Sequence, residues 1–84
     1  MSKLETIINL LGEIADDRTV PRNVRSVIEE AKTSLEDDSK EMDVRLNSVI
    51  SNLDEITNDP NIPMYTRTQI WNVVSMLESI HEES

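Results

Sequence analysis

A chain of 84 residues without cysteine is long enough for one domain and excludes disulfides, thiol nucleophiles and cysteine metal sites. Seventeen Asp and Glu residues against eight Lys and Arg residues give a net charge of −9, which disfavours nucleic acid and anionic lipid as partners. No apolar run approaches the ~18 residues of a membrane-spanning helix. We therefore expect a cytoplasmic protein without a membrane segment.

The first half of the chain has two apolar stripes with helical spacing. Ser2 and Glu5 form an S-x-x-E sequence, which predicts a capping box at the start of the first helix. Pro21 predicts the start of the second helix, because a first-turn residue needs no N–H. The stripes are Leu4, Ile7, Ile8, Leu11, Ile14 and Ala15, then Val24, Val27, Ile28, Ala31 and Leu35.

The second half shows the same organisation after a loop at residues 36–39. Asp38 and Glu41 offer another capping box for the third helix. The segment from Asn58 to Pro63 contains two prolines, which predict the end of that helix and the start of the fourth. The stripes are Met42, Leu46, Val49, Ile50, Leu53 and Ile56, then Ile70, Val73, Val74, Leu77 and Ile80.

The two halves match at a constant offset of 42 residues, without a gap. Core, turn and charged positions all keep this register, so we interpret residues 1–42 and 43–84 as a duplication. Identical pairs include Leu4/Leu46, Ile8/Ile50, Leu11/Leu53, Ile14/Ile56, Asp17/Asp59, Pro21/Pro63, Arg25/Arg67, Ile28/Ile70 and Leu35/Leu77.

Short loops between amphipathic helices make consecutive helices antiparallel neighbours. We predict an all-α fold: one domain over residues 1–84, a four-helix up-down-up-down bundle built from two tandem 42-residue helical hairpins. The alternative is a two-unit α-solenoid, because LLGEIADDRTVPRNVRSVIEEA resembles a HEAT-type repeat, with Asp17, Val24 and Arg25 at comparable places. The VPRN stretch departs from that pattern, and solenoids usually need about three or more units.

Three segments, DRTVPRNVR, NDPNIP and RTQIWNVVS, resemble an uncharacterised family of small archaeal helical proteins. The resemblance spans essentially the whole chain. It implies a four-helix bundle in an archaeal cytoplasm. It implies no assigned activity and supplies no catalytic residues.

The two copies differ most in the fourth helix. Helix two has Glu29, Lys32 and Ser34 where the fourth helix has Trp71, Val74 and Met76. At the start of the fourth helix, Met64 and Tyr65 replace Arg22 and Asn23. These differences indicate either an asymmetric core or an exposed face for a protein partner or self-association, since Trp, Tyr and Met are common interface anchors. An unpaired Glu29 would be costly to bury, so its position in helix two faces solvent or a helix boundary. We therefore expect Trp71, its counterpart in helix four, at the boundary of the bundle. The candidate interaction residues are Met64, Tyr65, Trp71, Val74 and Met76.

Charged residues gather near the two equivalent intra-hairpin loops. Asp17, Arg25, Asp59 and Arg67 form a candidate structural charge cluster, in which Arg25 and Arg67 would pair with Asp59 and Asp17. Arg18 and Arg22 lie nearby in the sequence. The alternative is an Arg-rich end that serves a regulatory or nucleic-acid-associated protein, against which the net charge argues.

No set of residues predicts catalysis. Glu78-x-x-His81 has the spacing of half a di-iron site, but this chain has a single His and no second half. The carboxylate clusters at Asp16–Asp17, Glu36–Asp38 and Glu82–Glu83 do not match a calcium loop. We predict no catalytic, cofactor-binding or metal-binding residues, and our leading hypothesis is a small, acidic, non-enzymatic protein-interaction module that forms a homodimer or binds another protein.

Overall fold

Four α-helices follow one another in the computed structural model, which describes residues 2–83: α1 (Lys3–Ala15), α2 (Arg22–Glu36), α3 (Met42–Ile56) and α4 (Met64–Glu83). Within this range there is no strand, so the all-α prediction is confirmed. Of the predicted capping box of α1, the N-cap bond is confirmed, since Ser2 Oγ accepts a hydrogen bond from Glu5 N at 3.1 Å.

Each helix lies beside two others, and within residues 2–83 no Cα of α1 comes within 8 Å of a Cα of α3, nor any of α2 within 8 Å of α4. Lys3 Nζ, at the start of α1, lies 3.4 Å from Ser79 Oγ near the end of α4. Asn23, in the first turn of α2, reaches Asp59 beyond the end of α3. Consecutive helices are therefore antiparallel. Because α4 packs against α1, the ring of helices closes, and the α-solenoid alternative is wrong.

The core is aliphatic and runs the length of the bundle. Val20 and Ile62 lie in the two loops at one end of the bundle and are 2% and 4% exposed, so they close that end of the core. The one buried polar residue in the described range is Thr66, whose Oγ1 has no hydrogen-bond partner. The other buried residues are Ile7, Leu11, Ile14, Val24, Ile28, Ala31, Leu35, Leu46, Val49, Leu53, Ile70, Val73, Val74 and Leu77.

The loop between α2 and α3 differs from the expected capping box of Asp38 and Glu41. Glu41 precedes α3 without a side-chain cap. Asp37 Oδ1 instead accepts hydrogen bonds from Ser39 N at 3.0 Å and from Ser39 Oγ at 2.6 Å. The predicted box is wrong because a hydroxyl residue two positions after Asp37 stabilises a turn inside the loop rather than a cap on the helix.

The helices of residues 2–83 include none that combines the length and apolarity needed to cross a membrane.

Candidate functional site

The outer face of α4 exposes apolar side chains. Met64, Tyr65 and Trp71 are 66%, 71% and 51% exposed, and among the described residues the only other exposed large hydrophobic residue is Val44 of α3. Met64 and Trp71 are seven residues apart, about two helical turns, and therefore lie on the same side of the helix. We define the outer face of α4 as the exposed residues of its first twelve positions: Met64, Tyr65, Thr68, Trp71, Asn72 and Ser75.

This face carries no charge. The sequence has no carboxylate between Asp59 and Glu78, its longest stretch without one. The nearest cation on the helix, Arg67, is half-buried and donates to the loop before α4. The other helices have exposed carboxylates along their length: Glu5 and Glu13 on α1, Glu29, Glu30 and Glu36 on α2, and Asp43, Asp54 and Glu55 on α3.

The five candidate interaction residues do not share one environment. Trp71 and its sequence counterpart Glu29 are both exposed, in agreement with the expected boundary position. Val74 is 8% exposed and belongs to the core, so its assignment to a surface patch was wrong. It lies three residues after Trp71, which turns it by about 60° around the helix axis, towards the core. Met76 is half-buried and packs against the core.

Asp17 stabilises the loop between α1 and α2 through its own turn. Its Oδ1 accepts hydrogen bonds from Thr19 N at 2.9 Å and from Thr19 Oγ1 at 2.6 Å. The hydrogen bonds from Thr19, with a smaller contribution from the positive charge of Arg25, lower the pKa of Asp17. Among residues 2–83, no arginine forms a salt bridge with Asp17, so the expected ion pair with Arg67 was wrong. The nearby threonine satisfies this carboxylate instead.

The equivalent loop before α4 has a similar arrangement. Asp59 Oδ1 accepts from Asn61 N at 2.9 Å, and Asp59 Oδ2 accepts from Asn23 Nδ2 at 3.3 Å. Arg67 Nη2 donates to the backbone carbonyl of Asp59 at 2.8 Å, and no described cation pairs with its carboxylate. The expected ion pair between Arg25 and Asp59 was therefore wrong. Arg67 stabilises the loop backbone rather than the acidic side chain.

The same pattern occurs a third time, in the loop before α3. Arg45 follows Asp37 by eight residues, the spacing that also separates Asp59 from Arg67. Arg45 donates from Nε to Lys40 O at 2.9 Å and from Nη1 to Leu35 O at 3.0 Å. The available sequence signal was an Asp followed two residues later by Ser, Thr or Asn, which predicts an Asx turn. Our sequence interpretation missed it.

At the Arg-rich end, Arg67 supports the loop before α4. Arg18 and Arg22 are exposed, whereas Arg25 and Arg67 are half-buried and each has a buried Nε without a hydrogen-bond partner. Arg18 and Arg22 lie near Asp16 and Asp17 in the sequence, so the surface at this end carries both positive and negative charge. Arg22 and Arg25 line a cleft of about 400 Å³ together with Ala15, Ser26 and Glu29.

The sequence Glu78-x-x-His81 does not build a metal centre. His81 is half-buried, and its Nε2 lies 4.0 Å from Asp43 Oδ1 at the start of α3, an ion pair only when His81 is protonated. In the part of the chain that the structure describes, no group of three or more His, Cys, Asp or Glu residues could hold a metal ion.

Comparison with known proteins agrees with this architecture. Residues 1–80 match the sequence model of an uncharacterised protein family, UPF0147. A UPF0147 protein of Methanocaldococcus jannaschii is 48% identical over 77 residues, covering 92% of this chain and 83% of that protein. A UPF0147 protein of Archaeoglobus fulgidus is 46% identical over 80 residues, covering 95% and 91%.

Solved structures show the same fold. A crystal structure of a UPF0147 protein from Thermoplasma acidophilum matches with a TM-score of 0.90 and 38% identity, covering 93% of this chain and 92% of that one. A crystal structure of a protein of unknown function matches with a TM-score of 0.87 and 48% identity, covering 92% and 88%. The expected resemblance to an uncharacterised family of small archaeal helical proteins is confirmed. These descriptions assign no activity.

Proposed function

This chain belongs to the uncharacterised protein family UPF0147, and we propose that it is a non-enzymatic protein-interaction module that pairs with a second copy of itself through the outer face of α4. The observation that carries the proposal is the combination of an exposed Trp71 with the absence of charge around it. Elsewhere on the helices, exposed carboxylates are frequent.

Electrostatics favours this face for self-association. Two copies with a net charge of −9 each repel one another. Contacts through α1, α2 or α3 would place exposed carboxylates of the two copies close together, and the charged groups would lose water on contact. The outer face of α4 brings only apolar and neutral polar side chains together. Apolar burial on this surface is opposed by the least charge repulsion between the two copies.

The chemistry of the face also suits a symmetric contact. A twofold dimer uses the same patch on both copies, so this face would pack against itself. Met64 and Trp71 would supply apolar area along one side of the face and Tyr65 along the other, and Thr68, Asn72 and Ser75 would supply neutral hydrogen-bonding groups between them.

The size of the face sets the expected strength. Twelve helical residues span about 18 Å, which is short for an interface of about 800 Å² per partner. We therefore expect a dimer that dissociates on dilution.

Sedimentation equilibrium over a range of protein concentrations tests the proposal. We expect the wild type to dimerise reversibly and Trp71→Glu to remain monomeric. Val44→Glu is the matched control, because Val44 is equally exposed at 53%, lies on α3, and acquires the same new charge. The control should associate as the wild type does. A wild type that stays monomeric, or equal weakening by both substitutions, would contradict pairing through this face.

A further inference from the structure

A groove between α2 and α3 forms a second surface, separate from the outer face of α4. Its volume is about 660 Å³, within the range of about 300–1,000 Å³ that is typical of ligand clefts. None of the residues of the outer face of α4 lines this groove. The lining residues are Asn23, Val27 and Glu30 of α2, Asn52, Glu55 and Ile56 of α3, and Asn58, Asp59 and Pro60 of the following loop.

The groove has an apolar floor. Val27 and Ile56 belong to the apolar stripes of their helices, yet both are only half-buried. The groove opens over these two side chains, which leaves apolar area accessible to an apolar group of a ligand.

The rim of the groove is acidic and uncompensated. Glu30, Glu55 and Asp59 line it, and no Lys, Arg or His does. None of these three carboxylates forms an ion pair with any described cation. Asp59 is held by two neutral donors, Asn23 and Asn61. The groove therefore presents negative charge that a cationic ligand would neutralise.

The spacing of the carboxylates favours an extended ligand over an ion. Within residues 2–83, no three acidic groups lie close enough together to hold a metal. Separated carboxylates around an apolar floor fit a molecule with several separated cations and one apolar side chain between them. A lysine- or arginine-rich protein segment has this composition, whereas a polyamine lacks the apolar side chain.

We propose that the groove between α2 and α3 docks a basic segment of a partner protein, with an apolar side chain of that segment over Val27 and Ile56 and its cations against Glu30, Glu55 and Asp59. This inference does not depend on pairing through α4. The two surfaces do not share a residue.

The test is a titration of the isotope-labelled full chain, followed by NMR, with a short lysine-rich peptide that has one leucine at its centre. We expect the largest amide shifts along α2 from Asn23 to Glu30 and along the segment from Asn52 to Asp59. The double variant Glu30→Gln/Glu55→Gln should weaken binding about tenfold, since two partly exposed ion pairs are lost. The same variant should leave the sedimentation behaviour unchanged.

Two controls separate the groove from the general acidity of the chain. Glu13→Gln/Glu78→Gln removes the same charge from exposed sites on α1 and α4 and should weaken binding less than about twofold. A peptide with serine in place of leucine should bind more weakly. Equal weakening by both double variants, or equal binding of both peptides, would overturn the proposal. Spermine that binds as tightly as the leucine peptide, with the same amide shifts, would assign the groove to polyamines instead.

Discussion

Arg67 Nη2 donates a hydrogen bond to the backbone carbonyl of Asp59 at 2.8 Å and joins the second turn of α4 to the loop that precedes it. Arg45 makes the corresponding contacts to Lys40 and Leu35 before α3. A long side chain that reaches back over its own helix start thus donates to backbone carbonyls of the preceding loop and, at Leu35, of the preceding helix.

Replacing Arg67 should therefore destabilise the fold. We expect Arg67→Ala to lower the free energy of unfolding by about 1–3 kcal/mol, because the partly buried Asp59 carbonyl loses a charge-assisted hydrogen bond and keeps only the longer one from Ile62 N at 3.3 Å. Chemical denaturation measures the change. Arg22→Ala is the control, since Arg22 is exposed and its loss should change stability by no more than about 0.5 kcal/mol. Equal effects of the two substitutions would show that the carbonyl contact contributes nothing.

The unpartnered hydroxyl of Thr66 should weaken the core. Thr66 is 1% exposed, and its Oγ1 has no hydrogen-bond partner. Its sequence counterpart, Val24, is fully buried and apolar. We expect Thr66→Val to raise the free energy of unfolding by about 1 kcal/mol, because it removes a buried polar group while nearly keeping the shape. The reverse change, Val24→Thr, should lower it, and both can be measured by thermal denaturation. A destabilised Thr66→Val would indicate that the hydroxyl has a partner in solution.

Much of the fold could be predicted from the sequence, because apolar spacing and the prolines specify where helices lie. The positions that could not be predicted are those at the edges of the stripes. Val27 and Val74 both belong to the apolar stripes of their helices, yet Val27 lines an open groove and Val74 is buried. The helical period of apolar residues indicates on which side of the helix a side chain lies. The burial of a side chain also depends on how closely the neighbouring helix approaches. That distance cannot be inferred from the residue spacing along one helix.

The loops show a second limit of sequence interpretation. Opposite charges at matching positions suggested ion pairs between Asp17 and Arg67 and between Asp59 and Arg25. Short-range donors prevailed, because Thr19 and Asn61 are two residues from each Asp and reach it at little entropic cost. The position of Trp71 was predictable because Glu29 stands at the matching site. The groove between α2 and α3 was not, since its lining comes from two helices and a loop.

The two Asp–hydroxyl turns should make stability fall at acidic pH. Hydrogen bonds from the side chain and backbone of Thr19 lower the pKa of Asp17, and those of Ser39 lower the pKa of Asp37, each below its ordinary value of 3.8. A carboxylate with a lowered pKa in the folded state stabilises the fold above its unfolded pKa and loses that contribution as pH falls through the folded value. Stability should therefore decrease below about pH 4.

Thr19→Val isolates one of these turns. It removes the hydroxyl donor, so the pKa of Asp17, measured by NMR titration of its carboxyl carbon, should move up towards 3.8. The stability difference from wild type should be present at neutral pH and vanish at pH values where Asp17 is protonated in both proteins. Thr33→Val, an exposed change in the middle of α2, is the control. A stability difference that is independent of pH would contradict a role for the ionised carboxylate.

Trp71→Glu should leave the monomer folded. Trp71 is 51% exposed, and Glu29 occupies the matching exposed position in α2. The bundle thus accepts a carboxylate at such a site without burying it, and we expect the free energy of unfolding to change by no more than about 1 kcal/mol. Val74→Glu is the contrasting change, because it places a charge in the core and should unfold the domain. Circular dichroism with chemical denaturation distinguishes the two. Loss of helix in Trp71→Glu would mean that Trp71 belongs to the core.

Because Trp71 is the only tryptophan in the chain, its fluorescence reports directly on the outer face of α4. In a monomer its half-exposed ring contacts water, and in a dimer through this face it would be covered. We expect its emission to shift to shorter wavelength, and quenching by acrylamide to weaken, as protein concentration rises through the dissociation range seen by sedimentation. Tyr65→Ser should move both transitions to higher concentration, because Tyr65 supplies 71%-exposed apolar area to the same face. Val44→Glu should leave both where they are. If the protein dimerised while the emission of Trp71 stayed constant, the contact would lie elsewhere on the bundle, and the charge-free face of α4 would not be the surface that joins the copies.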